Sequence, residues 1–474
     1  MFSKVLTVAL AIGLVNSLTY TVDTENEALF TINDRFVSAA LDTGLLDSVN
    51  LSNPRLVQLA KHLTDTAPMY LRIGGTPADT VYFQDDTVEG SGPGPVGDSL
   101  VIKGSFFEEL VEFTRKANLR LLFDLNSLLR NSDGSWDSSN AEVLIAFAQK
   151  LNVSLDWELG NEPDLYQAIY KKYVTAQQLG ADYKNLREIL NKYDLYKNSP
   201  LVGPSMFDVG SNKGTEDYLT NFLNVATEAV QAVTWHQYYF NGQVATVDLF
   251  LNPSTFNYLE QRTKVVTSIV GNRNKVWLGE TSSCYNRGAP NLSDRFLASF
   301  LWLDKLGLGA QLGLDLIVRQ TIWGYYYPLI SEDYNPNPDW WVSLLYKKLV
   351  GPKVVSVTHD GDELRNVRLY AHCARDSDLW GQSAVVVFGV NIADSEQDFS
   401  LNLSSDDKVY EYELTADELL SQSVKLNGET LNLNDDGELP EINAATSTVT
   451  EKYSMPAHSI KFWVFPNSNV QACQ

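Results

Sequence analysis

The chain has 474 residues, 44% of them hydrophobic, enough to bury a large core, and its 59 acidic against 36 basic side chains set a formal charge of −23. That balance excludes the basic face that nucleic-acid binding requires. Three cysteines (Cys284, Cys373 and Cys473), with no CxxC or HExxH, exclude a disulfide scaffold and a zinc site of ordinary spacing, so neither metal nor cofactor is expected.

At the start, Lys4 precedes the apolar run Val5 to Val15, and Val15-Asn16-Ser17 closes it with a small residue. This predicts a signal peptide over residues 1–17 and a secreted protein. No later run is long and apolar enough to predict a membrane span. Four N-x-S sequons, at Asn50, Asn152, Asn291 and Asn402, are candidate glycan sites. A monomer is expected.

Residues 18–37 are strand-like. From 38 to 350 short β-rich runs alternate with amphipathic stretches. The strands expected are Ser38–Asp42, Tyr70–Gly74, Leu119–Leu125, Ser154–Gly160, Leu201–Pro204, Val233–Tyr238, Val276–Glu280 and Ile317–Trp323. Helical spacing recurs in Phe106–Ala117, Ala141–Leu151, Leu179–Tyr193 and Asp294–Leu306. Eight such units predict an α/β fold, a (β/α)8 TIM barrel. An open doubly wound sheet is the alternative, but no GxGxxG turn supports it. Glu89 to Gly97 reads as a Gly/Pro-rich surface loop. Past Gly351-Pro352 short alternating segments and turns such as Asn427-Gly428 predict a C-terminal antiparallel β-sandwich over 351–474, joined by residues 18–37. From Lys353 onward there are 20 acidic against 8 basic residues, about half of the net charge.

Two glutamates stand where a barrel collects its chemistry, at the C-terminal ends of strands. Trp157-Glu-Leu-Gly-Asn-Glu162-Pro163 ends the fourth strand and Val276-Trp-Leu-Gly-Glu280-Thr281 ends the seventh. Retaining glycoside hydrolysis needs such a pair, one carboxyl protonated to help the leaving group and one ionised to attack. Asn161 beside Glu162 suits a hydrogen bond to the sugar 2-hydroxyl. Two residues apart on strand six, His236 and Tyr238 should point the same way. Tyr238 can donate to the nucleophile, whereas His236 is equally a packed structural histidine and is left outside the catalytic set. Arg72 can orient Glu280 or pair with Asp124. The aromatic run Trp323-Gly-Tyr-Tyr-Tyr327 can stack on sugar or simply pack.

With these residues in view the chain resembles the heparanase family of endo-β-glucuronidases. The likeness runs from about Tyr20 to Cys473 and is most specific in Tyr70 to Thr76, Trp157 to Pro163, Val233 to Tyr239, Lys275 to Ser283 and Phe300 to Leu308. It implies a (β/α)8 barrel with Glu162 as acid/base and Glu280 as nucleophile. It further implies Asp42, Thr76 and Asn161 as sugar contacts, Tyr238 on the nucleophile and a Cys373–Cys473 disulfide leaving Cys284 free. The substrate implied is heparan sulfate or a related uronate polysaccharide on a proteoglycan, met outside the cell or in lysosomes after uptake.

Three departures from the family pattern bear on specificity. The loop after the nucleophile reads Cys284-Tyr-Asn-Arg287-Gly288, so Arg287 is the expected contact to the uronate carboxylate, with Gly288 and Tyr325 as further substrate-binding residues. Sulfate-gripping cations are thinned out: Gly210 to Gly214 holds one lysine, and Gln243 follows Asn241-Gly242. The linker excised from the family's precursor is largely missing, so activity as a single uncut chain is expected. The alternatives to an endo-β-glucuronidase are an exo-acting β-glucuronidase and a non-catalytic glycan-binding protein.

Overall fold

The computed structural model describes residues 18–87, 99–375, 377–381, 383–403 and 408–474. The expected signal segment and the loop Glu89 to Gly97 lie outside the described residues. Eight parallel strands form one sheet: Val37–Asp42, Met69–Gly74, Leu119–Leu125, Leu155–Leu159, Val202–Phe207, Ala232–Gln237, Lys275–Thr281 and Leu316–Gln320. The order along the sheet is four, three, two, one, eight, seven, six, five. A parallel bridge from Trp157 to Leu201 joins strands four and five and closes the barrel.

These runs become strands because they are rich in Val, Ile, Leu and Phe and bury both faces, as a parallel sheet under helices must. Helices between them begin at side-chain caps. Asn53 accepts from the N–H groups of Arg55 and Leu56 ahead of Pro54–Thr66, and Asn252 likewise starts Pro253–Val270. Period-two alternation then sorts the interior into layers. Tyr70, Leu122, Val202, Ala232, Trp277 and Leu316 pack as an apolar plug. Two residues further along their strands, Arg72 and Asp124 stand one layer higher, beneath the mouth.

The eighth strand stops at Gln320, so the expected extension to Trp323 turns into the loop over the mouth. The C-terminal unit is a two-sheet sandwich. One sheet runs Val357–His359, Leu18–Val22, Gln397–Leu401, Lys452–Met455, and the other centres on Val367–Ala374, Val385–Asn391 and Ser459–Phe465. It is not wholly antiparallel: the N-terminal strand Leu18–Val22 pairs parallel to Gln397–Leu401. Asn427 and Gly428, both at positive φ, make the tight turn of the hairpin between Lys425–Leu426 and Glu429–Thr430.

Between the sheets lie Tyr20, Phe399, Trp463 and Phe465. The outer face, with Phe388 and Phe462, joins the barrel's own core through the helix Phe296–Gln311, whose residues 296–310 are all buried. A disulfide joins Cys373 to Cys473, and Cys284 is free and buried.

Candidate active site

At the barrel mouth Arg72 is fully buried and meets four partners from three strands and a loop. Its Nε donates to Glu158 at 2.7 Å and Nη1 to Glu280 at 2.9 Å, while Nη2 donates to Asn161 and Ser205, each at 3.0 Å. Asp124 lies 3.5 Å away, its carboxyl pushed well above the usual range by burial and by Glu158, against the pull of Arg72. Both readings of Arg72 hold together: it orients Glu280 and is the cation of a buried acidic layer.

Two register irregularities aim the groups around it. Trp235 pairs with Leu278 but His236 pairs with Glu280, so Gly279 is an extra residue on strand seven and turns Glu280 into the mouth. A Cβ there would lie 3.0 Å from that of Thr234. On strand five Ser205 is likewise skipped between Pro204 and Met206. Its hydroxyl reaches both Arg72 and His236 Nε2, the latter at 2.7 Å.

Glu280 therefore has both carboxylate oxygens engaged, one by Arg72 and the other by the Tyr238 hydroxyl at 2.7 Å. Glu162 is in a different environment. It sits in left-handed backbone at φ 53°, a conformation uncommon for a non-glycine residue and typical of over-determined functional positions. Burial pushes its carboxyl up to about 7, against the pull of Arg72. His236 Nδ1 lies 2.9 Å from Glu162 Oε1, and burial lowers the imidazole to about 4, so the histidine is neutral. One oxygen of each glutamate and a nitrogen of His236 lie within 4.8 Å of one another. That is the close spacing of a retaining pair, whereas inversion needs room for a water, about 6.5–9.5 Å between carboxyls.

Glu162, His236 and Glu280 are also the described trio with the spacing to hold a metal ion. The donor set argues against one, because both Glu280 oxygens already accept hydrogen bonds and a guanidinium sits beside them.

The cleft above the pair has a volume of about 570 Å3 and is lined by Asp42, Thr76, Pro77, Glu162, Leu165, Phe207, Tyr238, Glu280, Tyr285, Asn286, Arg287, Gln320, Tyr325 and Tyr327. Of the residues expected from the sequence, Asp42, Thr76, Tyr238, Arg287 and Tyr325 thus lie together with both glutamates. Asp42 accepts from Gln320, Gly44 and Tyr325, and burial with the nearby Glu280 raises it to about 6. Arg287 lies over the Tyr325 ring at 5.1 Å.

Gly288 does not line the cleft. Its φ of 89° and a Cβ position 2.7 Å from Tyr327 show why that residue is glycine: Tyr327 packs on it. Asn161 stands behind the cleft wall, its Oδ1 taken by Arg72 and its N–H by Asp79. The aromatic run divides, Tyr325 and Tyr327 facing the cleft while Trp323 stacks on Tyr334. Lys213, the lysine of the segment after strand five, pairs with Glu216 and Asp217 of its own helix.

Sequence reasoning left His236 evenly balanced between a structural and a substrate role, and missed Asp79. The two-residue spacing of His236 from Tyr238 was the available signal. Asp79, which binds the N–H groups of Ser127 and Asn161, carried none.

This geometry agrees with the comparisons to known proteins. The model of glycosyl hydrolase family 79, N-terminal domain, matches residues 37–307, more than half of the chain. The chain belongs to glycosyl hydrolase family 79. As a family 79 member it is a glycoside hydrolase of the heparanase family. It is 33% identical to heparanase of Bos taurus over 94% of this chain and 91% of that one, and 32% identical to hyaluronoglucuronidase of Hirudo nipponia over 97% and 100%. Among solved structures, a 4-O-α-L-rhamnosyl-β-D-glucuronidase from Fusarium oxysporum 12S superposes with a TM-score of 0.70 at 17% identity, covering 94% of this chain and 99% of the other. That likeness speaks for the shared fold of the family 79 chain.

Proposed function

We propose that this protein is a retaining endo-β-glucuronidase that cleaves glucuronosyl linkages inside a glycosaminoglycan chain. The observation that carries the reading is the contrast between two carboxyls a few ångströms apart. Glu162 is raised to about 7 by burial, so it holds a proton to give to the glycosidic oxygen. Glu280 instead accepts from Arg72 and Tyr238, which fix both of its oxygens and hold the carboxylate in place to attack the anomeric carbon. Once the leaving chain departs, Glu162 is the base that takes a proton from water, and water releases the sugar from Glu280. The relatives' names, heparanase and hyaluronoglucuronidase, support a glycosaminoglycan as substrate.

Arg287 is the one cation among the described cleft-lining residues, beside the acids Asp42, Glu162 and Glu280. A single guanidinium suits one uronate carboxylate and leaves sulfate groups without partners. Glucuronate-rich chains of low sulfation are therefore the proposed substrates.

The protein acts as a secreted monomeric glycoprotein on extracellular-matrix proteoglycan chains, with lysosomal delivery after uptake. Asn50, Asn152 and Asn291 are exposed, which supports glycan attachment. Asn402 spends both ends of its amide on the backbone of Val22, at 2.8 and 2.9 Å. Product analysis on defined oligosaccharides tests the whole reading. Oligosaccharide fragments with β configuration at the new end support it; free glucuronate alone means exo action, and no product means a binder.

A further inference from the structure

The helix Phe296–Gln311 carries a buried lysine that the chemistry above does not use. Lys305 is 1% exposed; burial, with Arg319 nearby, pushes its amine well below the ordinary lysine value, and among the described residues it forms no salt bridge. Asp304, next to it in sequence, turns the other way to Arg368 and Tyr370 of the sandwich, at 2.5 and 2.6 Å. The Lys305 Nζ instead donates to Gln237 Oε1 at 2.7 Å, to Ser282 O at 3.1 Å and to Thr281 Oγ1, and lies 4.3 Å from the centre of the Tyr239 ring. Every one of these partners lies at the end of strand six or strand seven or within two residues after it.

Gln237 and Thr281 are the last residues paired between those strands. Tyr238 follows the first and Glu280 precedes the second, so the Tyr238–Glu280 hydrogen bond stands next to the pair that Lys305 holds. The extra residue Gly279 interrupts the ladder just before Glu280, and a ladder broken there gives the strand end less support of its own. For stability alone, an apolar side chain of similar volume would avoid the cost of burying a polar amine.

We infer that Lys305 is a positioning residue for the nucleophile, stapling the ends of strands six and seven so that Tyr238 and Glu280 keep their hydrogen bond. The inference rests on the reading of Glu280 as nucleophile. Its consequence is specific: losing the lysine misplaces the attacking carboxylate and leaves the proton donor Glu162 and the sugar contacts where they are.

The test uses the full chain with Lys305→Met and, as a milder variant that keeps the lysine, Thr281→Val. Active sites are counted by trapping with an activated 2-deoxy-2-fluoro-β-glucuronide, and kcat on aryl glucuronides is then expressed per trapped site. For Lys305→Met the expected result is kcat per site lower by about 10–100-fold with KM within about twofold, the scale of a small misplacement. Better leaving groups should not restore it, and Thr281→Val should show a smaller loss of the same kind. If Lys305→Met does not fold, Thr281→Val alone decides. Wild-type kcat per trapped site, or recovery with a better leaving group, overturns the inference. Failure of the trap to label Glu280 in the wild type overturns the nucleophile assignment instead.

Discussion

The Tyr238 hydroxyl donates to Glu280 Oε1 at 2.7 Å across the ends of strands six and seven. A hydrogen bond to a charged partner contributes about 1.5–3 kcal/mol, so Tyr238→Phe should cost roughly 10–100-fold in kcat and leave the fold unchanged. Glu280→Gln should remove nearly all hydrolysis. Steady-state rates on an aryl glucuronide check both, and a Tyr238→Phe variant at wild-type rate would deny the tyrosine its role.

Glu162 should behave differently under chemical rescue. With an activated aryl glucuronide the leaving group needs no proton, and azide can replace the water that Glu162 would activate. Azide should therefore restore turnover to Glu162→Ala and yield a β-glycosyl azide. An α product, identified by NMR, would mean inversion.

The raised carboxyl of Glu162 has two consequences for pH. Because the protonated form starts the reaction, kcat/KM should fall above about pH 7, roughly tenfold per pH unit, and Glu162→Gln should lack that limb. Stability follows the same proton. The folded state holds it between the ordinary 4.5 and about 7, where the unfolded chain has lost it, so the cost of ionising Glu162 is absent below pH 4.5 and complete above 7. Glu162→Gln should thus melt like the wild type near pH 4 and be more stable by about 1–3 kcal/mol at pH 8. Calorimetry at the two pH values decides.

Substrate charge should matter in an unusual direction for a uronate-cleaving enzyme. With Arg287 as the one cation among the described cleft-lining residues, beside the acids Asp42, Glu162 and Glu280, an added sulfate finds no second cation to pair with. Desulfated, glucuronate-rich chains should be cut faster than heparin, with weak salt dependence because few ion pairs are at stake. Arg287→Ala should raise KM more than it lowers kcat. Faster cleavage of fully sulfated heparin would count against this.

The Cys373–Cys473 bridge spans 100 residues and ties the C-terminal turn to the middle of the sandwich. In the chain-entropy model a loop of that size corresponds to at most about 4–5 kcal/mol. Cys373→Ser should lower the melting temperature and leave kcat per folded molecule unaltered. Non-reducing peptide mapping that linked Cys284 to either cysteine would contradict the pairing.

What the sequence alone determined is what local pattern can carry. Alternating runs and helical spacing announced eight strands and their order, and the strand ends located Glu162, Glu280 and Tyr238, because period-two alternation depends only on neighbours along the chain. Tertiary structure decided everything that depends on register between distant strands. Arg72 reaches Glu280 208 residues away because two skipped residues, Ser205 and Gly279, shift the ladders of strands five and seven. The same shifts bring His236 onto Glu162 instead of leaving it in a packed wall, and in the loop beyond strand seven Tyr327 packs on Gly288. No spacing in the sequence encodes a bulge of one residue, yet one residue is enough to reverse which face a side chain occupies.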